Sequence, residues 1–355
     1  MTGLPLWLLL VVFVAAGAVI WIAGIQLSKS TDVLDARLHL GSALGGLIVL
    51  AVATNLPEIA ITVTAAASGS VEVAVGNILG GIALQTVVIM LLDLFGKRGR
   101  SAKPLTYRAA SLTLVIEALV VVAVLSVVVA GTQLPKSLDV LRFTPQAVLI
   151  LVVWVVGLFL VRRAGTHLPW HEDGDAPDTT HRRSAHRANH ADPDTAKKTS
   201  TGRAALIFVV AAVATLIAGY VLEQSGDAAS SKVGLSGVLF GATVLALATS
   251  LPEISTGLQA IRQGDENLAI SDIFGGNAFL PVLFLLAGLV SGKAVLPQAH
   301  SSDIYLTALA VLLTVVYALG LLFRPQKRVL GMGVDSLVVL VAYLVGIAGL
   351  FTVAQ

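Results

Sequence analysis

Ten stretches of this sequence are apolar and long enough to cross a lipid bilayer, and that bounds its fold more tightly than anything else in it. They fall at residues 5–27, 40–67, 71–95, 106–131 and 143–162, then at 204–223, 235–262, 266–292, 304–322 and 334–353. A helix needs about 20 mostly apolar residues to cross the hydrocarbon core. The expected fold is therefore an all-α membrane protein with ten transmembrane helices. At 56% hydrophobic and 12% charged residues, the chain is more apolar than soluble domains, which average roughly 45–50% apolar and 25% charged. A soluble protein with one anchor is excluded. The first run lacks a basic leader and exceeds the roughly 7–15 residues of a signal-peptide core, so it is expected to persist as the first span.

The two sets of five spans are separated by residues 163–203, which are rich in charge, His, Asp and Pro and carry almost no large apolar side chains. Such a segment cannot bury a core and is expected to be a flexible linker. Five of the seven histidines lie there, without regular ligand spacing. The organisation expected is a five-helix unit over 1–162, the linker over 163–203 and a second five-helix unit over 204–355. With the N-terminus outside, the loops after the odd-numbered spans hold 19 of the 23 basic residues. The excess of Lys and Arg on one side then predicts a cytoplasmic linker, both termini outside, and residence in the plasma (inner) membrane.

A shift of 195 residues lays GLIVLAVATNLPEIAITVTAAASGSVEVAVGNILGG (46–81) over GATVLALATSLPEISTGLQAIRQGDENLAISDIFGG (241–276) without a gap. Ala-Thr-X-Leu-Pro-Glu-Ile and the closing Gly-Gly coincide, as expected of a duplicated unit. Five spans per unit is an odd number, so the second copy enters the membrane from the opposite side and the repeats are expected to be inverted. Substrate sites in such folds form near the midplane, between the copies, on helices interrupted by Gly or Pro.

The duplicated segment carries the chemistry of a cation site. Pro57 lacks an N–H and leaves the carbonyl of Ala53 without its helical partner; Pro252 does the same to Ala248. Free carbonyls at membrane depth need a cation, water or a neighbouring donor. Beside the two breaks stand Thr54 and Asn55, and Thr249 and Ser250. One residue past each proline is a carboxylate, Glu58 or Glu253. An ionised carboxylate there costs several kcal/mol unless paired, and the sequence offers no nearby Lys or Arg, so the expected partner is a metal ion or a proton. In the following span Asn77, Gly81 and Gln85 share one helix face; Asp272 and Gly276 are the register partners of Asn77 and Gly81, with Asn277 adjacent. Three carboxylates with amide, hydroxyl and carbonyl oxygens, and no nitrogen or sulfur ligand, suit a hard cation such as Ca²⁺. Close like charges disfavour simultaneous ionisation, so at least one of the acids is expected to be protonated at some step. An isolated acid or proline in a span can also mark a kink or an interhelical hydrogen bond, and the amides can serve as interhelical glue. Glu117, mid-span, has Leu312 as its register partner and reads equally as a proton carrier or as an acid facing a wet crevice.

These residues resemble the calcium/cation antiporter superfamily, which includes sodium/calcium exchangers. ATNLPE and ATSLPE stand where those proteins have GTSLPE, and the resemblance covers both halves. It implies an inverted 5+5 arrangement in which one Glu from each repeat holds Ca²⁺, with Thr54, Thr249, Ser250 and the carbonyls of Ala51 and Ala246 available to Na⁺. The sequence departs from the family at Asn55, which replaces a serine, and in GNILGGI and SDIFGGN, where Gly81 and Gly276 replace serines. Leu280 stands where some members carry an acid, an acid appears instead at Asp272, and Gln85 keeps the family's late amide. The glycines at 81 and 276 remove two hydroxyls that the resemblance implies for Na⁺.

The function expected is secondary active antiport: exchange of Ca²⁺ for Na⁺ by alternating access, with H⁺ or K⁺ as alternative coupling ions. A cation channel is the competing class, since it would use similar carboxylates in a continuous pore. No enzymatic activity and no cofactor are expected; Ca²⁺ and Na⁺ are substrates. The partners are inorganic cations and the lipid bilayer, with no nucleic acid.

Overall fold

The computed structural model of the chain describes residues 3–38, 51–69, 71–96, 103–109, 111–135, 144–167, 200–234 and 244–353. Among the described residues the regular structure is helical apart from one two-stranded hairpin. The helices are α1 (Leu6–Leu38), α2 (Leu56–Ser68), α3 (Val71–Phe95), α4 (Leu105–Arg108), α5 (Leu112–Thr132), α6 (Pro145–His167) and α7 (Thr201–Val233). They are followed by α8 (Ala246–Thr249), α9 (Leu251–Gln263), α10 (Glu266–Phe279), α11 (Leu283–Ser291), α12 (Ser301–Phe323) and α13 (Val334–Val353). Strands β1 (Arg328–Val329) and β2 (Met332–Gly333) pair antiparallel between α12 and α13.

Among the described residues, eight helical stretches are long and apolar enough to cross a membrane: Leu6–Leu27, Val71–Phe95, Leu112–Thr132, Pro145–Gly165, Thr201–Val233, Glu266–Ser291, Ser301–Phe323 and Val334–Val353. The two expected spans absent from this set carry the duplicated motif. Residues 40–50 and 235–243 lie outside the described residues, and the rest of each run is broken at the motif. Residues 51–54 are helical, the turn sits at Asn55, and α2 begins at Leu56. In the second copy α8 ends at Thr249, Ser250 forms the turn, and α9 begins at Leu251. The prolines at 57 and 252 dictate these breaks, since a proline early in a helix is tolerated and one in its interior is not.

The copies agree in local detail. Each post-proline helix has 13 residues and ends at a glycine in the left-handed region, Gly69 (φ 82°) or Gly264 (φ 86°), positions 195 apart where a Cβ would be strained. The apolar run 266–292 departs from a single helix: Pro281 forces a 3₁₀ turn over Leu280–Val282 between α10 and α11. Residues 163–167 continue α6 and 201–203 open α7; 168–199 lie outside the described residues.

Helix α3 is the centre of the bundle. Of its most apolar window 83% is buried, against 28% in α6, α7 and α13. The main core gathers Ile78, Ile82, Ile89, Leu114, Val121, Phe274 and Phe284 around it. On the periphery, Trp7, Val14, Ile22, Phe159, Val210, Ile217 and Val345 are exposed. Large apolar side chains on the outside of several long helices are what a lipid-facing surface requires.

Helices α1 and α7 pack against each other along their length, through Ala16, Ile20, Ala218 and Leu222 and through Ala23, Leu27 and Ala211. Each also crosses the motif of the opposite copy. A Cβ on Gly24 of α1 would stand 3.0 Å from the Cα of Pro252; one on Gly219 of α7 would stand 3.0 Å from the Cα of Pro57. Small residues of this kind let helix backbones approach closely inside a membrane. Sequence reasoning missed both glycines, although a signal was available: Ile-Ala-Gly recurs at 22–24 and 217–219, in the same 195-residue register.

Candidate cation site

The interrupted helices α2 and α9 aim their first turns inward, and Glu58 and Glu253 occupy those turns. A helix N-terminus carries a partial positive charge that favours an acid there. Both glutamates are fully buried, at 0% exposure. Among the described residues, no Lys, Arg or His lies at ion-pair distance from Glu58, Glu253 or Asp272.

Just before each break one carbonyl gathers donors. The Ala51 carbonyl accepts from the Thr54 hydroxyl (3.2 Å) and from Asn55 Nδ2 (2.7 Å). The Ala246 carbonyl accepts from Thr249 (3.1 Å) and Ser250 (2.8 Å). The two copies thus brace their turns in the same way. They also cross: Thr249 stands beside Glu58, and Thr54 stands beside Glu253.

Gln85, from the central helix α3, joins the copies. Its Nε2 donates to Asn55 Oδ1 at 3.2 Å and to Glu253 Oε1 at 3.3 Å, and its side chain also faces Glu58. Asp272 on α10 accepts from Thr256 (2.7 Å) and Thr54 (3.4 Å). Thr256 was missed by sequence reasoning; it lies one helical turn past Glu253 and so shares its face. Asn277 Nδ2 donates to Thr86 at 3.0 Å, one residue past Gln85. Asn77 is buried, at 3% exposure, and its side chain makes no hydrogen bond. Glu117 accepts from Ser271 at 2.6 Å, beside Asp272 in sequence, and faces an apolar cavity lined also by Ala51, Trp154 and Gly275.

Several buried oxygens here have no hydrogen-bond partner in good geometry: both carboxylate oxygens of Glu58, Oε2 of Glu253, Oε1 of Gln85, and Oδ1 of Asn77 and Asn277. Leaving a buried polar atom unsatisfied costs about 1–3 kcal/mol, and more for a charged group. A cluster of such acceptors with no nearby cationic side chain is chemically suited to a hard cation. Among the described residues no three His, Asp or Glu side chains are gathered closely enough to hold a metal by themselves. A cation here therefore has to draw on amide, hydroxyl and carbonyl oxygens as well as the glutamates.

The departure at Gly276 has a spatial counterpart. A Cβ there would stand 2.7 Å from Asn55 Nδ2, whereas one at Gly81 would meet nothing within 4 Å. The larger Asn55 amide occupies the space a serine at 276 would need. Replacing Gln85 by leucine, the residue its register partner Leu280 already is, removes its hydrogen bond to Asn55 in the same copy and its hydrogen bond to Glu253 in the other. The expected result is an apparent Ca²⁺ affinity lower by about tenfold or more, since a hydrogen bond to a charged group is worth roughly 1.5–3 kcal/mol. Ca²⁺ titration of exchange in reconstituted vesicles measures it.

The sodium/calcium exchanger protein family matches this chain over residues 8–162 and 203–352. CaxA of Alkalimonas amylolytica is 26% identical over 340 residues, covering 94% of this chain and 96% of the relative. The inner membrane protein YrbG of Escherichia coli is 24% identical over 295 residues, 81% of each chain. Human sodium/potassium/calcium exchanger 1 is 30% identical over 87 residues, 23% of this chain and 8% of the relative. Among solved structures, the sodium-calcium exchanger NCX_Mj aligns with a TM-score of 0.62 at 14% identity, covering 97% of this chain and 99% of that one. The H⁺/Ca²⁺ exchanger CAX aligns with a TM-score of 0.59 at 13% identity, covering 97% and 90%. At these identities the two structures establish the fold.

Proposed function

We propose, for a chain that belongs to the sodium/calcium exchanger protein family, that it exchanges Ca²⁺ for Na⁺ across the membrane by alternating access. The observation that carries this reading is the pair of register-related glutamates, fully buried, unpaired by any basic side chain among the described residues, and linked across the two copies through Gln85. Glu58 and Glu253 hold Ca²⁺, assisted by Asn55, Gln85, Asn77, Asp272 and Asn277. Thr54, Thr249, Ser250 and the carbonyls of Ala51 and Ala246 are the Na⁺ ligands. The same glutamates bind Ca²⁺ and the counter-ion in turn, so binding one requires release of the other.

The architecture that goes with this reading is two inverted five-helix units, 1–162 and 204–355, in a plasma (inner) membrane with both termini outside and the 163–203 linker cytoplasmic. The matched local geometry at Asn55 and Ser250, at Gly69 and Gly264, and at Gly24 and Gly219 supports the duplication. A site formed where two copies meet is open to one side when the copies tilt one way and to the other when they tilt back. The chemistry is binding and release, so no enzymatic step is involved.

H⁺ coupling is the second reading, and one observation favours it. Glycine at 81 and 276 leaves two fewer hydroxyls around the site, with Asn55 filling part of the space at 276. A panel of outward gradients on proteoliposomes decides between the two. Na⁺-driven ⁴⁵Ca²⁺ uptake that persists at equal pH on both sides is the expected outcome. Uptake that ignores Na⁺ and follows the pH gradient would replace Na⁺ by H⁺. Non-saturating flux that needs no counter-ion would make the protein a channel.

A further inference from the structure

A second group of buried oxygens lies away from the exchange site, where the last turn of α3 meets the start of α13. Two carboxylates face each other there, Asp93 and Asp335, 1% and 6% exposed. Asp93 lies eight residues beyond Gln85 on the same helix, which is about 12 Å along the axis.

The two acids differ in how they are satisfied. Asp93 accepts from the Leu105 N–H at 2.8 Å, the Gly333 N–H at 2.6 Å and the Ser336 hydroxyl at 3.0 Å. One carboxylate thereby fastens α4, the hairpin and α13 to the central helix. Neither oxygen of Asp335 has a hydrogen-bond partner in good geometry. Two hydroxyls in the same condition stand around it: Thr106 Oγ1 and Tyr317 Oη, on residues each 1% exposed. Thr106 faces Asp335, and Tyr317 faces Asp335, Asp93 and Ser336. Among the described residues no Lys, Arg or His lies at ion-pair distance from either acid.

Glycines provide the room. A Cβ on Gly320 or on Gly333 would overlap the Asp335 carboxylate, and the one on Gly333 would also stand 3.3 Å from Asp93 Oδ2. The space beside Gly333 that a Cβ would fill is therefore within contact distance of both carboxylates. Two buried acids and two buried hydroxyls, all oxygen, match the preferences of a hard divalent cation. Buried acids without a basic partner need a cation or a proton to neutralise them.

We propose that Asp93, Asp335, Thr106 and Tyr317 form a second cation site, which binds Ca²⁺ and fastens the hairpin and α13 onto α3. The site is separate from the exchange site and does not depend on which ion drives exchange. With the linker cytoplasmic, it lies on the cytoplasmic side, so that Ca²⁺ there tightens the packing of the bundle's inner end.

Equilibrium ⁴⁵Ca²⁺ binding to the purified full-length protein tests it. The Glu58→Gln/Glu253→Gln double variant is expected to keep one saturable Ca²⁺ per chain, and adding Asp335→Asn to abolish it. Asp335→Asn alone is expected to keep the exchange-site Ca²⁺, which also shows that the variant folds. Thr106→Val, which removes one neutral ligand and no charge, is expected to weaken the second site by about tenfold. The proposal is overturned if the double glutamine variant binds no Ca²⁺, or if its binding survives Asp335→Asn. Should Asp335→Asn fail to fold, unchanged affinity of Thr106→Val in the double glutamine background overturns it.

Discussion

Either Glu58→Gln or Glu253→Gln is expected to lower ion-driven Ca²⁺ uptake by at least about 100-fold. Removing one partner from a buried charged contact typically costs about 3–5 kcal/mol, and each tenfold in affinity corresponds to about 1.4 kcal/mol. Glutamine preserves the shape and one acceptor oxygen while deleting the charge, so the loss reports on cation binding rather than packing. The ion-free protein is expected to gain stability or hold it, because an unpaired buried carboxylate is itself unfavourable. Thermal melting in chelator therefore separates this account from simple damage to the fold. A purely structural role for the glutamates predicts the opposite pattern, with stability falling and uptake kept. The two substitutions are expected to act alike, since Glu58 and Glu253 are 195 residues apart in the same register and equally buried.

The second large effect is expected where α1 and α7 cross the prolines. Valine at Gly24 forces side-chain atoms into a place where even a Cβ would stand 3.0 Å from Pro252 Cα and Ser255 Oγ; at Gly219 the obstacle is Pro57 Cα at 3.0 Å. Backbone cannot give way as a flexible side-chain end can, so overpacking of about 1–3 kcal/mol is expected at each position. Gly202→Val is the control, because a Cβ there meets nothing within 4 Å. Melting temperatures in detergent, read alongside uptake, check this: Gly24→Val and Gly219→Val fall well below Gly202→Val and lose transport together. Wild-type melting at either glycine would show that the close approach carries no weight.

The sequence made the location of the site legible because the duplication leaves its strongest trace there. A proline next to a glutamate in an apolar run implies a broken turn and a charge, and both copies fold that way at Asn55 and Ser250. Among the described residues, both motif-bearing runs are interrupted at those turns. What a sequence pattern does not encode is which side chain meets which across helices. Helical periodicity puts Gln85 on a face with Asn77, but that it reaches Asn55 and Glu253 follows from how α3 sits between the copies. The link between Ser271 and Glu117, 154 residues apart, is of the same kind. It gives Glu117 a hydroxyl partner next to Asp272, where the sequence showed only an acid without a counterpart. Pro281 was visible in the sequence; its 3₁₀ turn was obscured by the length of the apolar run around it.

The hydroxyls also read differently in three dimensions. Thr54, Thr249 and Ser250 are all close to the breaks, yet each is bonded to a carbonyl one turn back. They brace the interrupted turns, and a cation that uses them has to share them with Ala51 and Ala246. At the proposed exchange site the unsatisfied atoms lie on Glu58, Glu253, Gln85, Asn77 and Asn277, so the proposed cation draws mainly on carboxylates and amides.

The most direct test of a site shared by both copies is tracer exchange of ⁴⁵Ca²⁺ into Ca²⁺-loaded proteoliposomes, because it needs no assumption about the coupling ion. Wild-type protein is expected to exchange with saturation. Glu58→Gln, Glu253→Gln and the double variant are expected to lose exchange to the same extent, since groups that act as one unit do not add. Wild-type exchange in either single variant would contradict the account.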